Sequence, residues 1–209
     1  MTQNKLPTKK TLARQEKIKA AALELFIIKG YQETGICDII KLSGGSYSNI
    51  YNHFKNKEGL FFEILDDMCK NHYNMITSKF QNFKNENLKE ALISFGNLFL
   101  EIFNNPKTIA LGKIIHSISN DKKKHIKDWI KNNQDNFAHK ILEQYFQKQD
   151  NSYLVKNSSK LAELFCTMLK EPNFTLSIIA DNPPLSKKEQ EKHINFIVEM
   201  FLRSVNYKV

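Results

Sequence analysis

"SGGSYSNIYNHFKNKEGLF", residues 43–61, places its poorest helix formers directly before an Ile50-Tyr51 pair and a strongly helical run. The Gly44-Gly45 pair forces a turn, because glycine reaches left-handed backbone without steric cost. Ser46, Tyr47, Ser48 and Asn49 follow, short or flat polar side chains that suit the edges of bases in a DNA major groove. Asn can bond adenine in bidentate fashion, and a Tyr ring can meet a thymine methyl or a phosphate. Ile50 and Phe54, four residues apart, share the opposite face and point into a small core. The stretch reads as a surface that meets DNA.

On either side the apolar periodicity is helical. Ile18, Ala21, Ala22, Leu25 and Phe26 recur at i, i+3, i+4, i+7 and i+8, which predicts a helix over about 11–29. Gly30 follows Lys29 and stops it. Thr34 is placed to cap a second helix at about 36–43, and Asn56 to cap a long one at about 57–83. Later segments predict helices over 86–104, 106–119, 121–148, 157–180 and 186–206. Asn105-Pro106 supplies a cap and an N1 proline, Pro172 breaks 157–180, and Ser186 with Glu189 forms a capping box. No segment sustains period-two alternation. The fold class is all-α with about nine helices: a three-helix helix-turn-helix domain in 1–56, then a helical bundle in 57–209 for ligand binding and dimerisation.

Charge gives the same direction. The formal net charge is +9, and residues 1–19 hold Lys5, Lys9, Lys10, Arg14, Lys17 and Lys19 against Glu16 alone. A basic arm suggests a polyanionic partner, with a solvated tail as the plainer alternative. Cys37, Cys69 and Cys166 are widely spaced, and the six histidines show no ligand spacing, so neither a disulfide framework nor a metal site is expected. There is no P-loop, no G-x-G-x-x-G and no G-x-S-x-G, so no catalytic residues or cofactor are expected. No apolar run is long enough to cross a bilayer and no secretory signal opens the chain, which makes cytoplasmic residence the default.

Gly30-Tyr31, Asp38-Ile39-Ile40, Ser43-Gly44, Ile50-Tyr51-Asn52-His53-Phe54 and Lys57-Glu58-Gly59-Leu60-Phe61 together resemble the DNA-binding domain of TetR-family regulators. The resemblance implies a repressor that binds a palindromic double-stranded operator as a homodimer. It places Tyr51 and His53 at positions that touch phosphates, beside the base-facing Ser46, Tyr47, Ser48 and Asn49. Lys57 opens the long helix, where its charge and free N–H groups suit a phosphate. Packing roles are the alternative for Tyr51 and His53. Gly45 departs from the pattern where a valine is usual, at a cost of about 1 kcal/mol in helix propensity, so the reading helix is expected to be marginal until DNA orders it.

In such a family the remaining helices hold a small-molecule pocket and pair with a twin. Candidate ligand-binding residues are His72, Phe99, Phe103, Ile115, His116, Trp129, Phe137, Cys166, Met168, Lys170 and Phe174. Candidate dimerisation residues are Leu161, Phe165, Ile194, Ile197, Val198, Phe201 and Val205, with burial in their own chain as the alternative. Gly96 and Gly112 leave room for a ligand or allow close helix contact. The implied inducer is a small amphipathic molecule, bulky and bile-salt-like, with a multidrug efflux operon as the target. A sensor of fatty acyl compounds, or a membrane-surface or protein-interaction module, are the rivals; charge gathered at the helix-turn-helix speaks against a membrane partner.

Overall fold

The computed structural model describes residues 8–80, 87–118 and 123–207, and among these the chain is helical with no strand. Two compact units emerge, Met1–Met68 and Cys69–Val209.

The first unit holds α1 (Lys9–Lys29), α2 (Ile36–Ser43), α3 (Tyr47–Phe54) and the start of α4 (Lys57–Phe80). Local chemistry explains each border. The Thr8 hydroxyl accepts from Thr11 N at 3.2 Å. Gly44 closes α2 at φ 66, its N–H donating to Ile40 O. The Ser46 hydroxyl accepts from Asn49 N at 3.4 Å, and the Asn56 carbonyl oxygen from Gly59 N at 2.8 Å. Thr34 does not cap α2; its hydroxyl donates to Leu25 O and Gly30 O, which ties it to the end of α1 instead. The core collects Ile18, Ala22, Ile39, Ile50, Leu60 and Phe61, all fully buried. Phe26, Tyr31 and Phe61 form an aromatic triad at centroid separations of 5.2–6.0 Å. Most of the expected basic arm is helix: residues 9–19 belong to α1, and Lys19 pairs with Glu16 and Asp67. Residues 1–7, including Lys5, lie outside the described part.

The second unit holds the end of α4, α5 (Leu88–Phe103), α6 (Pro106–Ser117), α7 (Lys123–Asn132), a 3-10 turn (Gln134–Asn136), α8 (Ala138–Phe146), α9 (Ser152–Lys156), α10 (Ser158–Lys170), α11 (Asn173–Ile179) and α12 (Lys187–Ser204). Helix α10 packs on α5, α8 and α12, and α12 also lies against α5. Phe80, Phe95, Phe146, Phe165 and Phe201 are buried at the centre of this cluster. The predicted caps at Asn105-Pro106 and Ser186–Glu189 are present.

Among the described residues twelve α-helices stand where about nine were expected. The predicted helix over 121–148 is interrupted by the 3-10 turn, α9 is an added short helix, and Pro172 separates α10 from α11. Positions 81–83, 86, 119 and 121–122 of the expected helices fall outside the described residues. Gly96 and Gly112 serve close packing. A Cβ on Gly96 would lie 3.0 Å from Ile194 Cγ2, and one on Gly112 2.6 Å from Ile178 Cδ1.

Candidate functional site

In the first unit α3 presents one face to solvent. Tyr47 and Tyr51 are 50% and 53% exposed, and their rings stack at 6.4 Å with an interplanar angle of 14°. The Tyr47 hydroxyl is in hydrogen-bond contact with Cys37 Sγ of α2, which anchors one edge of this aromatic pair. Ser48 and His53 are also exposed, as are Asn52 and Lys55, which the sequence reading left out. Ile50 and Phe54 are buried on the other face, as expected. Tyr51 and His53 both lie on the exposed face, and the His53 ring also meets the buried Phe54 edge-on at 6.3 Å.

Two expected contacts take other roles and a third is half-buried. Ser46 is spent on capping: its hydroxyl accepts from Asn49 N and shares a hydrogen bond with Ser48 Oγ. Asn49 is half-buried, and its Nδ2 is enclosed with no hydrogen-bond partner. The Lys57 ammonium donates to the carbonyls of Tyr31, Gln32 and Thr34 at 2.8, 3.1 and 2.9 Å. An ammonium has three protons, so a phosphate would have to displace one of these carbonyls. The same cation sits 4.7 Å from the centroid of the Tyr31 ring. Lys57 thus clamps the turn between α1 and α2 onto the start of α4.

The second unit holds a partly open cavity of about 520 Å³, within the range of ligand pockets. Three helices supply walls at helical spacing: Cys69, His72 and Tyr73 from α4; Phe99, Ile102 and Phe103 from α5; Glu163, Cys166, Thr167 and Lys170 from α10. The fourth wall is Asn136, Phe137, Ala138 and His139, from the point where the predicted long helix breaks. The break leaves the 136–139 segment free to turn side chains inward that a continuous helix would spread around its axis.

Of the expected ligand residues, the cavity brings together His72, Phe99, Phe103, Phe137, Cys166 and Lys170. Phe174 stands behind Phe103 at 4.9 Å, and Trp129 behind Phe137 at 6.2 Å. Met168 packs on the core, while Ile115 and His116 of α6 do not line the cavity. Cys69, Ile102, Glu163 and Thr167 were legible by an available signal, since each lies three residues from a residue already chosen; Tyr73, next to His72, was not. Asn136, Ala138 and His139 carried no such signal.

Burial lowers the pKa of His72, and burial also dominates the lowering at His139, so both rings are neutral at pH 7. Lys170 is the cationic wall, with Glu171 3.2 Å away and the Phe103 and Phe174 rings at 5.7 and 5.6 Å. Among the described residues no cluster of three or more His, Cys, Asp or Glu could hold a metal ion.

The expected dimerisation residues are core. Leu161, Phe165, Ile194, Ile197, Val198, Phe201 and Val205 are each at most 8% exposed within their own chain. Their helices instead turn Leu164, Phe196 and Met200 outward, at 46%, 64% and 41% exposure. An apolar stripe marks the buried face, and here that face is turned to α5 and α8.

Residues 18–64 match the family model "Bacterial regulatory proteins, tetR family", and residues 90–207 match "AefR-like transcriptional repressor, C-terminal domain". The HTH-type transcriptional regulator QacR of Staphylococcus aureus is 52% identical over 52 residues, 25% of this chain and 28% of QacR. LmrA of Bacillus subtilis, also an HTH-type transcriptional regulator, is 44% identical over 55 residues, 26% of this chain and 29% of LmrA. The matched region thus spans under a third of either relative. A TetR-family transcriptional regulator from Mesorhizobium loti shares the fold at a TM-score of 0.76 and 19% identity, over 94% of this chain and 98% of that one. The chain belongs to the tetR family of bacterial regulatory proteins, with a C-terminal domain of the AefR-like repressor type.

Proposed function

We propose that the chain is a ligand-responsive repressor that binds a palindromic operator as a homodimer and leaves it when a bulky amphipathic molecule fills the second-unit cavity. The observation that carries this is the cavity itself: about 520 Å³, walled on one side by α4, the helix that begins three residues after the exposed α3. Residues 1–56 would act as the reading domain and 57–209 as the sensing and pairing domain. On the DNA side Tyr47, Ser48, Tyr51 and His53 are the exposed contacts, and the α3 surface suits a major groove. The twin would dock on the outward apolar side of α10 and α12, through Leu164, Phe196 and Met200.

"LARQEKIKA", "DIIKLSGGSYSNIY", "KEGLFFEILDD" and "FCTMLKEP" resemble CmeR, repressor of a multidrug efflux operon in Campylobacter, which supports an efflux operon as the target. A bile-salt-like anion suits the cavity: Phe99, Phe103 and Phe137 offer flat apolar walls, and Lys170 offers a cation. The neutral histidines would bond such a ligand without balancing its charge. Ligand can shift the protein between DNA-competent and incompetent states only by its difference in affinity for them.

Fluorescence anisotropy on inverted repeats flanking the gene tests this. Binding should weaken with salt, fail on scrambled sequence and be reversed by cholate, with Lys170→Ala needing more cholate. Equal binding to scrambled DNA, or indifference to both cholate and long-chain acyl compounds, would refute it; release by acyl chains alone would favour the acyl-sensing rival.

A further inference from the structure

Two thiols from different helices line the second-unit cavity, Cys69 of α4 and Cys166 of α10. They are chemically unlike. Cys166 is 8% exposed, makes no hydrogen bond with the described residues, and is held as the protonated thiol because burial pushes its pKa far up. Buried in the cavity wall, it behaves as a small apolar group. Cys69 is half-buried and faces the same space. His72 lines the cavity one turn further along α4, and residues three apart on a helix stand side by side. Burial lowers its pKa and so favours the neutral imidazole, the form whose free ring nitrogen can take a proton. Phe99, Ile102, Phe103 and Phe137 line the same cavity, an apolar surface suited to an aromatic ring.

We propose that the cavity captures aromatic carbon electrophiles with an activated double bond, such as aryl enones and imides, by covalent addition to Cys69. Cys69 Sγ is the nucleophile and His72 its base. The S–H bond breaks and its proton passes to the imidazole. Sγ bonds the β carbon of the activated double bond, whose π pair moves to the α carbon and takes the proton back from His72. The product is a thioether, with no oxidant or reductant consumed. This rests on the cavity being the ligand site and adds to it a chemical class: reactive aromatics that a non-covalent pocket would hold only briefly.

The test uses N-phenylmaleimide and its saturated, unreactive counterpart N-phenylsuccinimide on the intact chain, in a Cys37→Ser background because Cys37 is exposed. Peptide mass mapping follows Cys69 and Cys166, while the single tryptophan, Trp129, in ring contact with the cavity residue Phe137, reports occupancy by its fluorescence. Labelling should appear at Cys69 and not Cys166, saturate with maleimide concentration and be slowed competitively by the succinimide. His72→Asn should slow the maximal rate at least about tenfold. Cys69→Ser should abolish labelling yet still bind the succinimide, which shows that the fold is intact. If the succinimide binds but Cys69 labels linearly, no faster than free cysteine, covalent capture is wrong and the ligand cavity stands. If the succinimide neither perturbs Trp129 nor competes, the aromatic class is wrong, and the cholate titration decides separately whether the cavity is a ligand site.

Discussion

Lys57→Met removes an ammonium while keeping most of the apolar stem, so it isolates the clamp between the α1–α2 turn and α4. The wild-type ammonium serves three carbonyls. Hydrogen bonds to charged groups contribute about 1.5–3 kcal/mol each when enclosed. The bond to Gln32 is exposed, so water replaces it at little cost. The bonds to Tyr31 and Thr34 are part-buried, and those residues are 3% and 1% exposed. Discounting both for partial solvation leaves about 1–1.5 kcal/mol each, a loss of about 2–3 kcal/mol before the Tyr31 ring contact is counted. That equals roughly a 30- to 150-fold faster local opening. Amide hydrogen exchange over residues 34–43 in the intact chain reads it directly. Lys57→Arg should recover less than half, because a planar guanidinium cannot aim three protons at three converging carbonyls. A loss below about threefold for Lys57→Met would mean that the carbonyls are solvated and that the clamp is not what joins these segments.

Other substitutions test other joints. Gly45 has no positive φ, and an added Cβ would touch Ile18 at 3.4 Å with only Ser43 Oγ closer, at 3.1 Å. Gly45→Ala should therefore stabilise α3 by about 0.5–1 kcal/mol, raising amide protection at residues 46–53; lowered protection would mean that the Ser43 contact wins. Gly112→Ala should cost about 1–3 kcal/mol in thermal unfolding, because the new methyl meets Ile178 at 2.6 Å and the Phe174 ring at 3.2 Å. His72 and His139 titrate below their unfolded value of 6.5, so below that pH the unfolded chain binds protons that the folded chain does not. Stability should fall as pH drops from 7 through 6 toward the folded values, and the His72→Asn, His139→Asn double variant should flatten that slope in urea titrations. Leu164→Glu with Phe196→Glu should shift a dimer to monomer in sedimentation without lowering helicity, since both side chains are exposed.

Lys19 shows how charge that looks like a free arm can become structure. Burial pushes its pKa down, but the carboxylates of Asp67 and Glu16 more than offset this and raise it. The cation of α1 is then a tie to α4 within the first unit, leaving Lys9, Lys10, Arg14 and Lys17 exposed for a polyanion.

Helix borders were legible because caps act across three or four residues. Gly30, Asn56, Asn105-Pro106 and the Ser186–Glu189 pair carry their hydrogen-bonding logic in the chain itself. The buried faces were legible too, since Ile18, Ala22 and Phe26 or Ile194, Val198 and Phe201 repeat with the helical period. Periodicity does not say what covers a face, which is why Phe165 and Phe201 proved to be core while Leu164 and Phe196 face outward. Nor can local pattern announce that a run spaced by four will break at residues 133–137 and wall a cavity, or that Lys57 will find three carbonyls 23–26 positions away. Such outcomes depend on groups distant along the chain arriving at one place, and only three-dimensional packing sets that.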